Sequence, residues 1–419
     1  MKVLHINASD ISGGAARAVH RIHTGLLAQG VDSQMLVQKK ESNEDEVVTP
    51  YISKIGKKYS NLRPYCNSVI QKLQDTKNPV LHSANILPSG LHRKINKSDA
   101  EIAHLHWVNR EMISISELAK IKKPIVWTLH DMWAFMGAEH CDDLNNPERY
   151  IECYTKDNRP EDYSGLDIDR WVWERKNKYW KNVDFNFAAP SNWLANCLEK
   201  SKLFRGQKAK VIPNTLDTNI FKPTNKSIAR EKLGLPKDKK IVLYGAIGGD
   251  ADPLKGYQKL IEARKYLKKN YEISNLLFVV FGGTKKKEKK ELGVTTKYLG
   301  RINNDKKLAL IYSSADVMVV PSFLEAFGQT VSEAMACGTP VTAFDATGPK
   351  DIVDHKKNGY LAEAYNPEDL ASGISWVLED EERLKSLSEN ARDKALDTYA
   401  LDKVAQQYIE YYKEILSEE

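Results

Sequence analysis

The stretch 316-DVMVVPSFLEAFGQTVSEAMACGTPVTAF-344 contains a strand, a turn, a helix and a second strand in close succession. Its first run, 316-DVMVVPS-322, is short and apolar and ends on Pro-Ser. The segment 329-QTVSEAMAC-337 has helical apolar spacing and stops at Gly338, and 340-PVTAF-344 returns to strand composition. A strand that returns to strand through a helix is the repeating unit of a parallel sheet.

The same alternation runs outward from this stretch to both ends of the chain. Strands are predicted at 2–7, 34–38, 101–107, 124–130 and 185–191. After residue 208 the series restarts, with strands at 209–214, 240–246, 277–283, 296–302, 316–322 and 340–344. A chain of 419 residues exceeds one ordinary core. The fold expected is therefore α/β, with two doubly wound Rossmann-like domains facing a central cleft. The first covers 1–215 and the second 216–399, with a proline-bearing connector at 215–225. The amphipathic pattern 403-KVAQQYIEYYKEIL-416 predicts a terminal helix within 400–419 that packs back on the first domain.

Charge is nearly balanced, with 62 basic and 56 acidic residues, and the excess lies in the first half. Residues 51–100 hold nine basic residues and two acidic ones. Within them, 51-YISKIGKKYSNLRPYCNSVIQKLQ-74 mixes basic with apolar and aromatic residues, as a helix on an anionic membrane surface does, although a solvated basic helix reads the same way. The lysine cluster at 284–292 reads as a solvated loop or helix end. No nucleic-acid motif is present. Five widely spaced cysteines without a CxxC suggest a reduced compartment. No apolar run reaches the roughly 18 residues that span a bilayer, and 1-MKVLHINAS-9 lacks the features of a signal peptide. A cytoplasmic protein is expected, with a peripheral place on the inner face of the cell membrane as an option.

Several strands end on residues suited to ligand loops, which in doubly wound sheets gather at the carboxyl ends of strands. The segment 3–30 is a strand, a polar turn with Gly13-Gly14, and a helix closed near Gly30. The two glycines allow close backbone approach, and the helix start offers N–H groups to an anion, with Arg17 one turn further on. The dinucleotide fingerprint GxGxxG is absent, and a double glycine in a strand-to-helix turn is by itself more often just a tight turn. At 124-PIVWTLHDMWAFMGAEHC-141 a strand ends on His130-Asp131. There His130 can hydrogen-bond a substrate, and Asp131 can orient it or cap the next segment. His140, Cys141 and Cys153 form only an incomplete zinc set, so no metal site is expected from them. Cys337 reads as a core cysteine.

Glu325 falls on the loop before helix 329–337 and Glu333 about one turn inside it. The turn at Phe327-Gly328 separates them, so they are not a paired acid and base. The loop and helix start at Gly328, Gln329 and Thr330 suit a phosphate or diphosphate, with a carboxylate on each side to accept from hydroxyls. A ligand with sugar, diphosphate and ribose in series matches that order.

With its ExFGxxxxE run followed by EAMACGTPV, the chain resembles the retaining GT-B glycosyltransferases of family 4, which include bacterial polysaccharide-assembly enzymes. The resemblance extends to the Gly13-Gly14 turn, 128-TLHDMW-133, 191-SNWL-194, 211-VIPNTLDTNIF-221, Lys255-Gly256, 298-YLGRI-302 and 315-ADVMVVPS-322. It implies that Glu333 binds the donor ribose, Glu325 the hydroxyls of the transferred sugar, and the backbone of Phe327, Gly328, Gln329 and Thr330 the sugar and diphosphate. It further implies that Lys255 neutralises the diphosphate, that Gly300, Arg301 and Ile302 border the base, that His130 contacts the donor sugar, and that Gly13 and Gly14 lie beside donor phosphate and acceptor. The family commonly has an arginine shortly before the Lys-Gly pair, and 245-GAIGGDADPLKG-256 has none.

The activity implied is hexosyl transfer with retention from a UDP- or GDP-type nucleotide sugar to a glycan or lipid-linked acceptor in cell-surface polysaccharide synthesis. No further cofactor and no metal are expected to take part. The alternatives are a non-catalytic nucleotide-sugar-binding subunit and another GT-B enzyme such as an epimerase or phosphorylase.

Overall fold

The structure, a computed structural model, describes residues 1–51, 53–144, 148–246, 248–270, 274–284, 289–291 and 294–418. The chain forms two compact units. One comprises Met1–Ile212 and Val404–Glu419, the other Pro213–Lys403.

Besides a short antiparallel pair, Gln74–Asp75 with Ser164–Gly165, the strands of the first unit are β1 (Lys2–Ser9), β2 (Asp32–Lys39), β3 (Val47–Val48), β4 (Ile102–Leu105), β5 (Ile125–Thr128), β6 (Phe185–Ala189) and β7 (Lys210–Val211). They form one parallel sheet in the order β3-β2-β1-β4-β5-β6-β7. Every residue of β4 and β5 is buried, as expected of a parallel sheet covered on both faces. Two polar residues inside it, His104 and Thr128, are met by the terminal helix Leu401–Ser417. His104 meets the Tyr412 hydroxyl through Nδ1 and Thr128 Oγ1 through Nε2, both at 2.7 Å, and Thr128 Oγ1 lies 2.9 Å from the Tyr408 hydroxyl. Around these pairs Val404, Ala405, Ile409 and Ile415 close over Val3, Ile102 and Val126. The terminal helix thus belongs to the first sheet although the chain reaches it from the second unit.

The second unit contains β8 (Lys240–Gly245), β9 (Leu276–Phe281), β10 (Lys289–Glu291), β11 (Val294–Gly300), β12 (Val317–Val320), β13 (Val341–Phe344) and β14 (Gly359–Ala362). Their order is β10-β11-β9-β8-β12-β13-β14, parallel except for the edge strand β10. One face packs on helices including Gln329–Ala336, whose Val331, Ala334 and Met335 are buried. The other face carries Leu260, Ala263 and Ile374 from helices Tyr257–Asn270 and Pro367–Leu378. In both sheets the order reverses about the first strand, which puts the topological switch points at β1/β4 and β8/β12.

Sequence reasoning overextended several strands and missed β3, β10 and β14. The predicted strand 209–214 is only Lys210–Val211, since the chain passes into the second unit at Pro213, and 124–130 stops at Thr128. Of the lysine cluster at 284–292, residues 285–288 and 292 lie outside the described residues, and 289–291 form β10.

Candidate active site

In the second unit both strands of the switch point lead into loops that carry predicted site residues, Lys255 after β8 and Glu325 after β12. After β8 the chain passes through Asp252, whose Oδ1 accepts from the Leu254 amide at 3.0 Å and caps the short 3-10 turn Pro253–Lys255. Gly256 follows with φ +66°, and a Cβ there would lie 1.8 Å from the Pro321 carbonyl oxygen. Only glycine lets this loop press against the end of β12, so the Lys-Gly pair reflects a close approach of backbones. The Phe323 amide donates to the Leu254 carbonyl at 2.8 Å and locks the two loops together. The buried Tyr244 hydroxyl donates to the carbonyls of Gly249 and Lys255 at 3.1 and 3.3 Å.

This framework brings Lys255 and Glu325 together, with Nζ 2.6 Å from Oε2 and each side chain 23% exposed. Glu325 is held from behind as well, its carbonyl accepting from the Gly348 amide at 2.8 Å. The helix Gln329–Ala336 then opens on Gly328 at φ +113°, with no side-chain cap and no acidic residue in its first turn. Such a helix start favours an anion. Phe327 has a buried side chain that meets Tyr399 edge-on, so only its backbone is on offer. Gln329 and Thr330 are half-buried.

Glu333 lies inside the helix, 4% exposed, and accepts from the Tyr312 hydroxyl at 2.9 Å. The two glutamates therefore differ in setting: Glu325 pairs with a cation on a loop, whereas a phenol orients Glu333 in the interior. Tyr312 went unremarked in the sequence, where its only signal is a helical position in 305-DKKLALIYSS-314. Gly300 ends β11 at φ +75° and accepts from the Gly282 amide at 2.9 Å. Arg301 beyond it is exposed, and Ile302 packs partly against the core. Burial pushes the Cys337 thiol well up, which keeps it protonated and inert.

In the first unit, β1 leads to Gly13 at φ +103°, and helix Gly14–Ala28 starts there with neither a side-chain cap nor a first-turn acid. The preceding turn is pinned by Asp10, which accepts from the amides of Glu41 and Ser42 at 2.9 and 2.7 Å. Burial opposes its ionisation, but these amides prevail and hold the carboxyl below its ordinary range.

His130 lies two residues past β5. Its Nε2 is 3.1 Å from His106 Nδ1, and His106 Nε2 is 2.9 Å from His5 Nδ1. Burial drives the His130 pKa down to about 4 against the pull of Asp131, so the ring is neutral near pH 7 and serves as a hydrogen-bonding group. Asp131 does not orient it. Asp131 Oδ1 caps the Trp133 amide at 3.0 Å, and Oδ2 accepts from Trp107 Nε1 at 2.8 Å and pairs with His140 Nδ1 at 2.6 Å. His140 Nε2 is in turn 2.8 Å from Ser83 Oγ, so both of its nitrogens are engaged and the set of His140, Cys141 and Cys153 gains no ligand from it. All five cysteines are free.

Two doubly wound units, each with its loops at a switch point, define the GT-B fold. Residues 12–220 match the model of Glycosyltransferase Family 4, and residues 225–394 match that of Glycosyl transferases group 1. With these two matches, the chain is a GT-B protein of the family 4 glycosyltransferase type. An uncharacterised glycosyltransferase of Methanocaldococcus jannaschii is 34% identical over 191 residues, 44% of this chain and 47% of that protein. A D-inositol 3-phosphate glycosyltransferase of Thermobispora bispora is 30% identical over 224 residues, 50% of this chain and 52% of that protein. The chain thus spans about half the length of these curated relatives. Among solved structures, Anabaena HepE in complex with UDP-glucose superposes with a TM-score of 0.65 at 19% identity, covering 99% of this chain and 100% of that one. Sucrose-phosphate synthase from Thermosynechococcus elongatus gives 0.64 at 19% identity over the whole of both chains.

Proposed function

We propose that the protein transfers a hexose from a UDP- or GDP-type nucleotide sugar, with retention, to a hydroxyl of a glycan or lipid-linked acceptor in cell-surface polysaccharide synthesis. The observation that carries this reading is the Lys255–Glu325 pair at 2.6 Å, set between the two switch-point strands and followed by an uncapped helix start. Diphosphate binding draws Lys255 from Glu325 toward the leaving group. The freed carboxylate then accepts from the hydroxyls of the transferred sugar. Negative charge that builds on the diphosphate as the anomeric bond breaks is stabilised by Lys255 and by the N–H groups of the helix start. Glu333, oriented by Tyr312, accepts from the ribose, and Gly300, Arg301 and Ile302 border the base. The neutral His130 hydrogen-bonds the donor sugar, and Gly13 and Gly14 contribute backbone beside donor phosphate and acceptor. With no side chain assigned as nucleophile, the acceptor attacks from the face of the departing diphosphate, which takes its proton. HepE, whose solved complexes contain UDP, glucose or UDP-glucose, supports the donor class through shared fold.

The test is a hydrolysis screen over nucleotide sugars, followed by NMR assignment of the anomeric configuration of the transferred sugar. Inversion, or donor binding with neither hydrolysis nor transfer across a broad acceptor panel, overturns the reading; the second result points to the non-catalytic subunit. Release of a free epimer points to an epimerase.

We also propose that the first unit works at an anionic membrane surface. Helix Lys54–Gln71 is anchored by Arg63, 1% exposed, whose guanidinium donates to the carbonyls of Leu87 and Pro88 at 2.7 and 2.6 Å. Its opposite side presents Ile55, Leu62, Tyr65 and Val69, 56 to 83% exposed, among Lys54, Lys57 and Lys58. An apolar stripe flanked by lysines suits insertion at a charged interface. Among the described residues no helix is long and apolar enough to cross a membrane. Failure to bind phosphatidylglycerol vesicles at low salt, or equal binding by L62S/V69S, refutes this role.

A further inference from the structure

Three buried side chains from separate segments of the first unit converge on one point. His82 and Glu139 face each other across an isolated antiparallel bridge, and Asp169 lies in the first turn of helix Ile168–Trp180. They are 8%, 5% and 2% exposed. One ligand atom from each of His82, Glu139 and Asp169 lies within 4.8 Å of the other two, and His82 Nε2 is 3.6 Å from Asp169 Oδ1. Outside the cluster, His82 Nε2, Glu139 Oε2 and Asp169 Oδ1 have no hydrogen-bond partner.

The far side of each group is tied down. His82 Nδ1 is 2.9 Å from the Val80 carbonyl, so that nitrogen carries the proton and Nε2 presents a lone pair. The Tyr154 hydroxyl donates to Glu139 Oε1, and the Gln74 amide donates to Asp169 Oδ2 at 2.6 Å. Each candidate ligand therefore has the outer partner that fixes metal-binding side chains. One imidazole nitrogen and two carboxyl groups face inward, an arrangement held together by a proton shared between Glu139 and Asp169 or by a cation in its place. Gly137 allows the crowding, since a Cβ there would lie 2.6 Å from Glu139 Oε2.

The surroundings add to the negative charge. A small polar cavity next to Glu139 and Asp169 is lined by Asp142 and Asp143 as well, with Arg149 on its wall. The nearby Lys176 is committed elsewhere, its ammonium donating to the carbonyls of Trp133, Met136 and Gly137. Burial, and after it the facing Asp169, pushes the Glu139 carboxyl up to about 8. A second cluster, His5, His104 and His106, differs in the decisive respect. Both nitrogens of His104 and of His106 already have partners.

We propose that His82 Nε2, Glu139 Oε2 and Asp169 Oδ1 bind one divalent cation of the zinc or manganese type. One imidazole and two carboxylates form a mixed nitrogen and oxygen set suited to these ions. Its role is structural: the ion joins the segment around His82, the loop after β5 and helix Ile168–Trp180. Because the loop after β5 also carries His130, the ion steadies the segment that presents this residue.

The experiment uses the full chain and does not depend on glycosyl transfer. Protein expressed in medium supplemented with zinc and manganese is analysed by elemental mass spectrometry. It is then stripped with chelator and titrated with Zn2+ or Mn2+ against a fluorescent competitor, with Tm followed in parallel. About one equivalent of one ion should bind and raise Tm. E139Q and H82Q should bind it at least about tenfold more weakly, while C141S/C153S binds as the wild type does. The proposal is overturned if stripped wild-type protein takes up neither ion stoichiometrically, which assigns the three atoms to a shared proton or water. It is also overturned if folded E139Q keeps wild-type affinity, or if C141S/C153S loses the ion. Titration of the wild type decides the matter even where a variant fails to fold.

Discussion

Substitution at the Lys255–Glu325 pair should separate catalysis from stability. With both side chains 23% exposed, the pair is close to the surface class of ion pairs, worth about 0–1 kcal/mol. Losing it should lower Tm by no more than about 4 °C. In the transition state of the proposed transfer the same lysine faces charge developing on a diphosphate. Removing one such stabilising group commonly lowers turnover about 10²–10³-fold, or roughly 2.7–4 kcal/mol. K255M and E325Q should therefore retain near-wild-type melting curves and lose most donor hydrolysis. Their double variant should lose less Tm than the two single losses combined, because the second substitution finds no partner to remove. Differential scanning fluorimetry and single-turnover hydrolysis of the donor found by screening give the two readouts. A turnover loss below about threefold in either variant, with Tm unchanged, refutes the assignment. If Tm instead falls by an amount equivalent to more than about 3 kcal/mol, the pair is a structural element and catalysis does not separate from stability.

Three further outcomes are expected. G256A should destabilise the protein by at least about 2 kcal/mol and abolish turnover, since its Cβ would meet the Pro321 carbonyl at 1.8 Å in a left-handed backbone; an unchanged Tm or urea midpoint would contradict this. Y312F leaves the buried Glu333 carboxylate one donor short and should cost about 1–3 kcal/mol; because Glu333 is assigned to the ribose, the KM for donor should rise more than kcat falls, and an unaltered KM removes that assignment. His130, with its folded pKa near 4, should show no ring-proton titration by NMR between pH 8 and 5.5, whereas an ordinary histidine titrates near 6.5. A folded pKa below the unfolded one means that the unfolded chain binds the extra proton first. The histidine's contribution is therefore complete above about pH 6.5 and is lost as pH falls toward 4, so the Tm difference between wild type and H130N should shift in the variant's favour over that window. A difference that is independent of pH contradicts it.

Much of the architecture is local information. The alternation of apolar runs with helical spacing in 316–344 follows from the two periods of side-chain direction, and the same alternation repeated along the chain specifies two parallel sheets. Glycine at 256 and at 328 and the stop at Gly338 also lie in the sequence, because backbone conformations with positive φ select glycine at single positions. Strand ends were less legible: His130 and Ser191 continue apolar runs in sequence, yet lie beyond β5 and β6, His130 in a segment that bonds to His106 and Ser191 as the cap of helix Asn192–Lys200.

The chemical partnerships were decided by tertiary structure alone. Lys255 meets Glu325 from 70 residues away because β8 and β12 are neighbours in the sheet, an adjacency that no spacing along the chain encodes. Asp131 adjoins His130 in sequence, but consecutive residues beyond a strand point apart, and the carboxylate turns to His140, Trp107 and the Trp133 amide while His130 turns to His106. Tyr312 becomes the partner of Glu333 only where two helices pack on one face of the second sheet. His82, Glu139 and Asp169 form no motif along the chain. They converge because a bridge and a helix start bring three segments together, and hydrogen bonds on their outer sides aim the remaining lone pairs at one point. Period and composition determine which residues face inward, whereas the atom each polar group meets depends on long-range packing.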